Sequence, residues 1–336
     1  MKAAQITAPK QTALTELEVP TPGDDDVLIR VRRAGICGTD IHILHGTYQA
    51  TYPLTPGHEI SGEVAAVGQA VRRFQVGDRV TADPNIACNR CENCQRNEPN
   101  QCLNWQGMGV TRPGGFAEYV LAPEGNVYPI GEQSFEVAAF IEPLACVVWG
   151  IHVVKPRLGD RALVFGAGPM GCLLMQTLKT AGVTEVVMVD KVERRLEIAR
   201  RLGASHALHA DEADEKTLAG FAPLGFDIVT DATGIPAVVE QSVRYARARG
   251  KVWLFGVCPP ESKVAISPFD IFRKDLSLYG TYAVNRTFNE SIALLESGAV
   301  QVEPLLSHTL PLEEFHEGLR LAERDPERMK VQFAIS

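Results

Sequence analysis

Hydrophobic and polar positions follow two different patterns along the chain. Up to about Gly150 the chain contains short strand-like runs, among them VLIRVRRAG, ISGEVAAVG, DRVTAD and GGFAEYVLA, which are broken by Gly and Pro. Alternation over so few residues predicts short strands, and the breaks predict turns between them. This part of the chain is therefore predicted to be an irregular, mostly β domain.

From Arg161 the pattern changes to apolar runs that are each followed by an amphipathic segment. The pairs are RALVFGAG with PMGCLLMQTLKTAG, EVVMVD with KVERRLEIARRLGA, and DIVTDATG with IPAVVEQSVRYARARG, before a last run KVWLFGV. Successive strand–helix units predict a doubly wound parallel sheet, so the overall class is α/β. The last fifty or so residues lose this rhythm.

Composition and charge are those of a globular enzyme of two domains. The 336 residues are 45% apolar and 22% charged, and the formal charge is −8 with basic residues only in short scattered groups. Such a chain lacks the basic face that nucleic acid or anionic lipid would need. The N-terminal stretch has no secretion signal and no run approaches a membrane span. Eight cysteines in this context predict metal ligation in a reducing cytoplasm.

Four cysteines lie in one polar stretch, CNRCENCQRNEPNQC. They are Cys88, Cys91, Cys94 and Cys102. Thiolates at this spacing can surround a tetrahedral ion but cannot easily pair as disulfides without strain. We interpret them as a closed structural zinc site, with an iron–sulfur cluster or reduced loop cysteines as the alternatives.

A glycine loop, GAGPMG at residues 166–171, lies between a predicted strand and a predicted helix. Glycine there permits a tight turn and lets a pyrophosphate approach the helix N-terminus. The next strand ends at Asp190, the spacing at which an acid binds the adenosine ribose hydroxyls and repels a 2′-phosphate. The loop therefore predicts a dinucleotide site that favours NAD over NADP. Three basic residues weaken that preference without reversing it: Lys191, Arg194 and Arg195.

A second set of metal-ligand types is spread over the first part of the chain. It comprises Cys37 in GICGTDIH, His58 and Glu59 in PGHEISG, and Glu142 in IEPLAC. One soft, one borderline and two hard ligands suit an open zinc site with room for water or substrate. Spacing does not join these residues, so a small buried cysteine and a structural histidine are the alternatives for the first two.

Several motifs occur together and in one order: GICGTDIH, PGHEISGEVAAVG, VGDRV, the cysteine lobe, GGFAEY, IEPLA, GAGPMG and DATG. This order resembles the zinc-dependent medium-chain alcohol dehydrogenases over nearly the whole chain, and the GHE and IEPLA variants resemble the sorbitol and polyol dehydrogenase branch. The resemblance implies a GroES-like, mostly β catalytic domain over residues 1–150 and 287–336. It implies a Rossmann NAD-binding domain over residues 151–286.

Carried over to this sequence, the resemblance makes Cys37, His58 and Glu59 ligands of a catalytic zinc. Glu142 would bind that metal directly or through its water. Cys146 lies where the wider family supplies a cysteine ligand, but Glu59 and the EP motif favour Glu142 and leave Cys146 in the core. Each chain would hold this zinc and the structural one.

The resemblance also assigns a proton path and a cofactor site. Thr39 would pass on the alcohol proton and His42 would relay it to solvent, with a cap hydroxyl and a surface histidine as the respective alternatives. The implied cofactor-binding residues are Gly166, Gly168, Pro169, Met170, Gly171, Asp190, Arg195, Thr233, Phe255, Gly256, Val257, Thr281 and Tyr282.

The implied reaction is hydride transfer to NAD from a secondary alcohol of a polyol or sugar-derived compound, which gives a ketone. Ala283 and Val284 replace the Arg–Tyr groups that bind polyol hydroxyls in the sorbitol dehydrogenases, so we expect Asn285 or Arg286 to contact the substrate instead. A simple secondary alcohol or an amino alcohol such as L-threonine is the alternative substrate. A non-enzymatic NAD-binding relative is disfavoured, because both metal sets and the glycine loop are intact.

The expected assembly is a homo-oligomer, a dimer or a tetramer, without nucleic-acid or membrane partners. The apolar runs ISPFDIF and KVWLFGV are interpreted as strands near the edge of the cofactor domain, where they suit dimers that extend a sheet.

Overall fold

The computed structural model describes residues 1–336. The strands are β1 (Lys2–Ala8), β2 (Gln11–Glu16), β3 (Asp26–Gly35), β4 (Glu59–Val67), β5 (Arg79–Ala82), β6 (Asn85–Ile86), β7 (Gln106–Gly107), β8 (Tyr119–Pro123), β9 (Val127–Pro129), β10 (Arg161–Phe165), β11 (Glu185–Asp190), β12 (His206–His209), β13 (Phe226–Asp231), β14 (Ala246–Leu254), β15 (Ser277–Gly280), β16 (Leu306–Pro311) and β17 (Lys330–Ala334). The α-helices are α1 (Gly38–His45), α2 (Glu92–Gln95), α3 (Phe135–Ala138), α4 (Ile141–Val154), α5 (Pro169–Thr180), α6 (Glu193–Arg201), α7 (Glu215–Phe221), α8 (Pro236–Tyr245), α9 (Pro268–Lys274), α10 (Phe288–Glu296) and α11 (Phe315–Arg324). No helix is both long and apolar enough to cross a membrane.

The chain folds into two compact units. The first comprises Met1–Ala145, Ala283–Glu296 and Leu306–Ser336, and the second comprises Cys146–Tyr282 and Ser297–Leu305. These units differ somewhat from the predicted domains, residues 1–150 with 287–336 and residues 151–286. The predicted domain boundaries stay a prediction. Residues 297–305 fold with the second unit because Gln176 and Gln301 exchange two hydrogen bonds, of 3.0 and 2.8 Å, between side chain and backbone.

The first unit is built on a seven-stranded sheet with β3 inside it. The strand order is β16-β17-β3-β4-β5-β9, and β8 also pairs with β3. Val27, Ile29 and Val31 of β3 are fully buried, which explains why this long apolar strand lies in the middle. Its last residue, Gly35, stands opposite Gln332 of β17 on one side and Glu59 of β4 on the other. The predicted mostly β domain is confirmed.

The second unit contains a six-stranded parallel sheet in the order β12-β11-β10-β13-β14-β15. The chain enters at β10 and winds outward to both edges, so the predicted doubly wound α/β sheet is confirmed. Its strands are buried from both sides, as Leu163, Val187 and Val229 show with no exposed surface. Strand β12 was not predicted, because its sequence HALH is short and half polar and therefore lacks a clear apolar run.

Two details of the predicted pattern were wrong. The helix expected over IPAVVEQSVRYARARG ends at Tyr245, and ARARG instead opens β14, where an irregularity in the pairing accommodates Arg249 at φ 62°. The run ISPFDIF, predicted as a strand, is mostly helix α9. KVWLFGV begins in strand β14, as predicted, and lies next to the edge strand rather than at the edge itself. The edge strand of the sheet is β15. Its four residues, SLYG, are too few to show a clear alternation of apolar and polar side chains, so the sequence did not indicate it as the edge.

Candidate metal centre and cofactor site

The first unit brings together Cys37, His58 and Glu59, which the sequence separates. Their ligand atoms, a thiolate sulfur, an imidazole nitrogen and a carboxylate oxygen, all lie within 4.8 Å of one another. Cys37 is the N-cap residue of α1, and Glu59 opens β4. His58 follows Gly57, whose φ of 93° lets the backbone turn sharply before the strand. This set is the donor mixture predicted for an open zinc site.

The turn that carries His58 is held by a second loop. The backbone N–H of Gly114 donates to the carbonyl of Thr55 at 2.7 Å, and that of Gly115 donates to the carbonyl of Gly57 at 2.8 Å. A Cβ on Gly114 would lie 2.3 Å from the oxygen of Gly57, so only glycine permits this approach. The GGF motif is therefore part of the support of the metal centre.

Asp40 links the loop that carries Cys37 to the turn that carries His58. The sequence motifs had not indicated this role. Oδ2 of Asp40 accepts a 2.8 Å hydrogen bond from the N–H of Cys37, and its Oδ1 accepts one of 3.3 Å from the N–H of Gly57. The same Oδ1 lies 3.8 Å from Nδ1 of His58. Burial raises the pKa of Asp40, although His58 and these N–H groups oppose the shift. The residue was visible inside GICGTDIH, but its role depends on contacts with a distant turn.

Donor atoms remain available for a cation. Oε2 of Glu59 and Nδ1 of His58 are buried and have no hydrogen-bond partner. Burial alone lowers the pKa of His58, but the charges of Cys37 and Asp40 more than offset it and hold the pKa well above its usual value. Such a concentration of unpaired acceptors and negative charge fits a divalent cation, so these residues suit zinc.

Glu142 and Cys146, the two candidates for a further ligand, lie on α4. Glu142 is buried in the first turn of this helix, and burial raises the pKa of its carboxyl to about 7. The negative charge of Glu142 raises the pKa of His58, so the two side chains interact electrostatically. Glu142 is nevertheless not part of the group of Cys37, His58 and Glu59, whose ligand atoms lie within 4.8 Å of one another. Cys146 is half-buried and also outside that set. Ligation by Glu142, directly or through a water, stays a prediction, and so does the assignment of Cys146 to the core.

The two predicted proton-relay residues lie on α1 close to Cys37. The hydroxyl oxygen of Thr39 is 3.8 Å from Sγ of Cys37. His42 is half-buried, and its Nδ1 lies 3.3 Å from the hydroxyl of Thr47. The hydrogen-bonding neighbour of His42 is therefore Thr47 and not Thr39. The structure therefore places Thr39 at the metal centre and gives His42 a different neighbour.

The four lobe cysteines form a second group whose sulfurs all lie within 4.8 Å of one another. None of them forms a disulfide, and Sγ of Cys91 lies 3.5 Å from that of Cys94 and 3.8 Å from that of Cys102. Backbone N–H groups lower the pKa of Cys88 and Cys91, whereas burial raises the pKa of Cys94 to about 12. This S₄ arrangement fits a closed structural zinc site.

The glycine loop occupies the expected place between β10 and α5 in the second unit. Gly166 has a φ of 100°, and a Cβ on Gly171 would lie 1.8 Å from the oxygen of Gly166. Gly168 is the N-cap residue of α5 and Pro169 follows at its first position, so free N–H groups face outward from the helix start. The loop thus has the geometry of an anion cradle.

Asp190 and Asp231 end the two strands that flank β10, and they hold the turns that follow those strands. Oδ2 of Asp190 accepts a 2.7 Å hydrogen bond from the N–H of Ala167 inside the glycine loop. Asp231, which sequence reasoning did not assign a role, accepts from both the N–H and the hydroxyl of Thr233. The D of DATG was the available signal. All thirteen predicted cofactor residues belong to the second unit, where Gly256 also donates its N–H to the carbonyl of Asp231.

The two residues proposed for substrate contact differ in their surroundings. Arg286 is exposed and donates a 3.1 Å hydrogen bond to the side chain of Asn97 near the cysteine lobe. Asn285 is half-buried, and its Oδ1 is buried without a partner. Val284 is buried.

Comparison with known proteins identifies the chain. Residues 23–132 match the family model of the alcohol dehydrogenase GroES-like domain, and residues 169–297 match that of the zinc-binding dehydrogenases. The chain is 39% identical to the D-altritol 5-dehydrogenase of Agrobacterium fabrum, with 99% of each chain covered. The chain belongs to the zinc-dependent medium-chain alcohol dehydrogenases. The resemblance inferred from the motifs is confirmed, and so is the GroES-like and Rossmann fold class.

Two further relatives of this medium-chain dehydrogenase extend the comparison. It is 35% identical to the D-arabinitol dehydrogenase 1 of Uromyces fabae, over 98% of its own length and 97% of that protein. A structure described as a zinc-binding dehydrogenase from Sinorhizobium meliloti 1021 bound to NADP shares 34% identity and superposes with a TM-score of 0.95, with 99% and 98% of the chains covered. The arabinitol and altritol dehydrogenases are the relatives that support the polyol branch.

We expect the dehydrogenase to bind two zinc ions in separable sites. Cys94→Ser should remove one zinc and lower the free energy of unfolding by at least about 2 kcal/mol, because the lobe loses its crosslink. Cys37→Ser should remove the other zinc with a smaller effect on folding. Metal analysis together with urea unfolding measures both effects, and Cys258→Ser, outside both groups, should keep two zinc ions. Loss of both ions from either single variant would show that the sites are not independent.

Proposed function

We propose that the protein oxidises a secondary alcohol of a polyol or sugar-derived compound to the ketone, with NAD as the hydride acceptor. The observation that carries the proposal is the juxtaposition of Cys37, His58 and Glu59 with buried, unpartnered donor atoms, in a chain that also contains an intact glycine loop. A protein that only binds a nucleotide needs no such donor set. The altritol and arabinitol dehydrogenases named above support the polyol as the substrate class.

The residues divide the work as follows. Cys37, His58 and Glu59 would hold the zinc, and Asp40 keeps the N–H groups of both ligand loops in place. When bound, zinc supplies a positive charge that lowers the pKa of an alcohol, and the nicotinamide supplies a hydride acceptor. The hydroxyl of Thr39, two residues from Cys37, would relay the alcohol proton: its oxygen accepts that proton while its own proton leaves toward solvent.

The substrate side is assigned to Asn285 in preference to Arg286. The amide oxygen of Asn285 is buried without a partner, and a polyol hydroxyl that reaches it would supply the missing donor. Arg286 already donates a hydrogen bond to Asn97. Its exposed, charged guanidinium does not favour a neutral polyol over other hydrogen-bond acceptors. Asn285 therefore becomes the expected contact to a hydroxyl remote from the reacting carbon.

The experiment is a panel of polyols, sugar acids, simple secondary alcohols and L-threonine, assayed for NADH formation. We expect the highest kcat/KM with a polyol. Asn285→Ala should lower that kcat/KM about five- to 150-fold, equivalent to about 1–3 kcal/mol, and leave kcat/KM for a small secondary alcohol almost unchanged. Arg286→Ala is the matched control at the next position. A preference for L-threonine or for a sugar acid would replace the polyol assignment.

The cofactor preference is assigned to Asp190. Its two oxygens accept N–H groups of Ala167 and Val192, yet each keeps a further acceptor site for a ribose hydroxyl. The fixed carboxylate would repel a 2′-phosphate. The neighbouring Lys191 and Arg194 are exposed, which weakens their attraction for a phosphate.

Asp190→Ser should raise the ratio of kcat/KM for NADP to that for NAD by at least about tenfold, because the repelling charge is gone. Steady-state kinetics with both cofactors measure the ratio. Asp211→Ser is the matched control: it removes a carboxylate just beyond the next strand whose side chain is 85% exposed. This substitution should not change the ratio of kcat/KM for the two cofactors. A wild-type enzyme that already prefers NADP, the cofactor in the Sinorhizobium structure, would contradict the assignment.

We assign a homo-oligomer to the protein from the free edge of the second sheet. Strand β15 pairs only with β14, and Leu278 on it is 38% exposed. The adjacent helix α9 exposes Phe269 and Phe272 by 67% and 80%. Pairing of two such edges would continue the sheet and cover these side chains.

Light scattering coupled to size-exclusion chromatography should give a dimer or a tetramer for the wild type. Phe272→Glu should lower the assembly state, because it places a charge in the contact. Leu224→Glu changes an 83% exposed leucine elsewhere in the unit and should have no effect. A monomeric wild type would refute the assignment.

We assign the protein to the cytoplasm. None of the eight cysteines forms a disulfide, and a four-thiolate lobe needs a reducing compartment to stay intact. Cell fractionation that found the native protein outside the cytoplasm would overturn this.

A further inference from the structure

Lys330 has its side chain in the interior of the first unit. It opens β17, and only 6% of its surface is exposed. A lysine ammonium is costly to bury unless it is paired and hydrogen-bonded. Its partners therefore indicate what the lysine is for.

Both partners of the ammonium lie at the metal centre. Nζ is 2.6 Å from Oε1 of Glu59 and donates a 3.3 Å hydrogen bond to the carbonyl of Ile36. The strand register produces this contact, because the end of β3 lies between β17 and the start of β4. Gly35 leaves the necessary space, since a Cβ there would lie 2.1 Å from Oε2 of Glu59.

The two oxygens of Glu59 consequently have different surroundings. Oε1 is taken by the ammonium, whereas Oε2 is buried without a partner, and one carboxylate oxygen lies within 4.8 Å of the donor atoms of Cys37 and His58. We propose that Lys330 is a positioning residue of the metal centre: by holding Oε1 it leaves Oε2 as the single oxygen that Glu59 offers to zinc. This inference rests on the zinc site proposed above.

Loss of the ammonium has two opposite effects on the affinity for zinc. Removing a positive charge strengthens the attraction for a cation. Releasing Glu59 weakens binding, because the carboxylate can leave the orientation in which Oε2 faces the other donors, and partners of metal ligands typically contribute about 10–100-fold to affinity. Only the second effect requires Glu59, so the two can be separated by changing Glu59 as well.

The test is the zinc dissociation constant of the open site, measured by chelator competition in a double-mutant cycle. Lys330→Met should weaken binding by at least about tenfold when Glu59 is present. In the Glu59→Gln background the same change should leave the affinity within about twofold, or tighten it. Lys2→Met is the matched control, because it removes an equally short 2.6 Å bridge, to Glu313, in which both side chains are about half exposed.

Equal weakening in both backgrounds would show a general structural role and overturn the proposal, and so would the absence of weakening when Glu59 is present. Wild-type protein without zinc outside the cysteine lobe would overturn the metal centre as well. If Lys330→Met does not fold because it leaves Glu59 buried and unpaired, Lys330→Arg replaces it. Arginine keeps the charge but moves the donor atoms, so its effect on zinc affinity should again require Glu59.

Discussion

The end of β3, between β17 and the start of β4, is the constraint on which the metal centre depends. Backbone pairing places Gln332, Gly35 and Glu59 in one row across three strands. The row sets the distance between the Glu59 carboxylate and the Lys330 ammonium, a pair that is favourable only when both members are present. A proposed metal ligand, Glu59, is thus fixed by a sheet rather than by a flexible loop, which limits the freedom of its carboxylate to leave the site.

The other two proposed ligands, Cys37 and His58, are fixed by loops that support one another. Cys37 and the turn before His58 share the carboxylate of Asp40, and that turn packs backbone to backbone against a glycine-rich loop. Gly109 and Gly114 both approach the oxygen of Gly57 at distances that a Cβ would not allow. The glycines of GMG and GGF are therefore required by close packing, and their chemical contribution is indirect.

The second unit uses the same device at its strand ends. Asp190 and Asp231 each accept N–H groups from the turn that follows their own strand, and Asp190 also accepts one from the glycine loop. A carboxylate that braces a loop is held in one orientation, so its charge acts on a cofactor from a fixed point. The rigidity of the glycine loop and the proposed selection of the cofactor would thus depend on one side chain, Asp190.

Patterns within short stretches of sequence determined much of this protein. The repeated strand–helix pattern predicted the parallel sheet, and the motif GAGPMG predicted the glycine loop. The spacing of four cysteines predicted their cluster: Cys88, Cys91, Cys94 and Cys102. Each of these features depends on residues only a few positions apart. Residues separated by long stretches were decided by the tertiary structure. Glu59 and Lys330 are 271 positions apart, and only the register of β17 and β4 against β3 brings them into contact. Arg286 likewise looked free in the sequence, yet its partner, Asn97, is supplied by a loop 189 positions away. Periodicity and turn chemistry are local properties, whereas strand register and side-chain pairing are set by the packing of the whole unit.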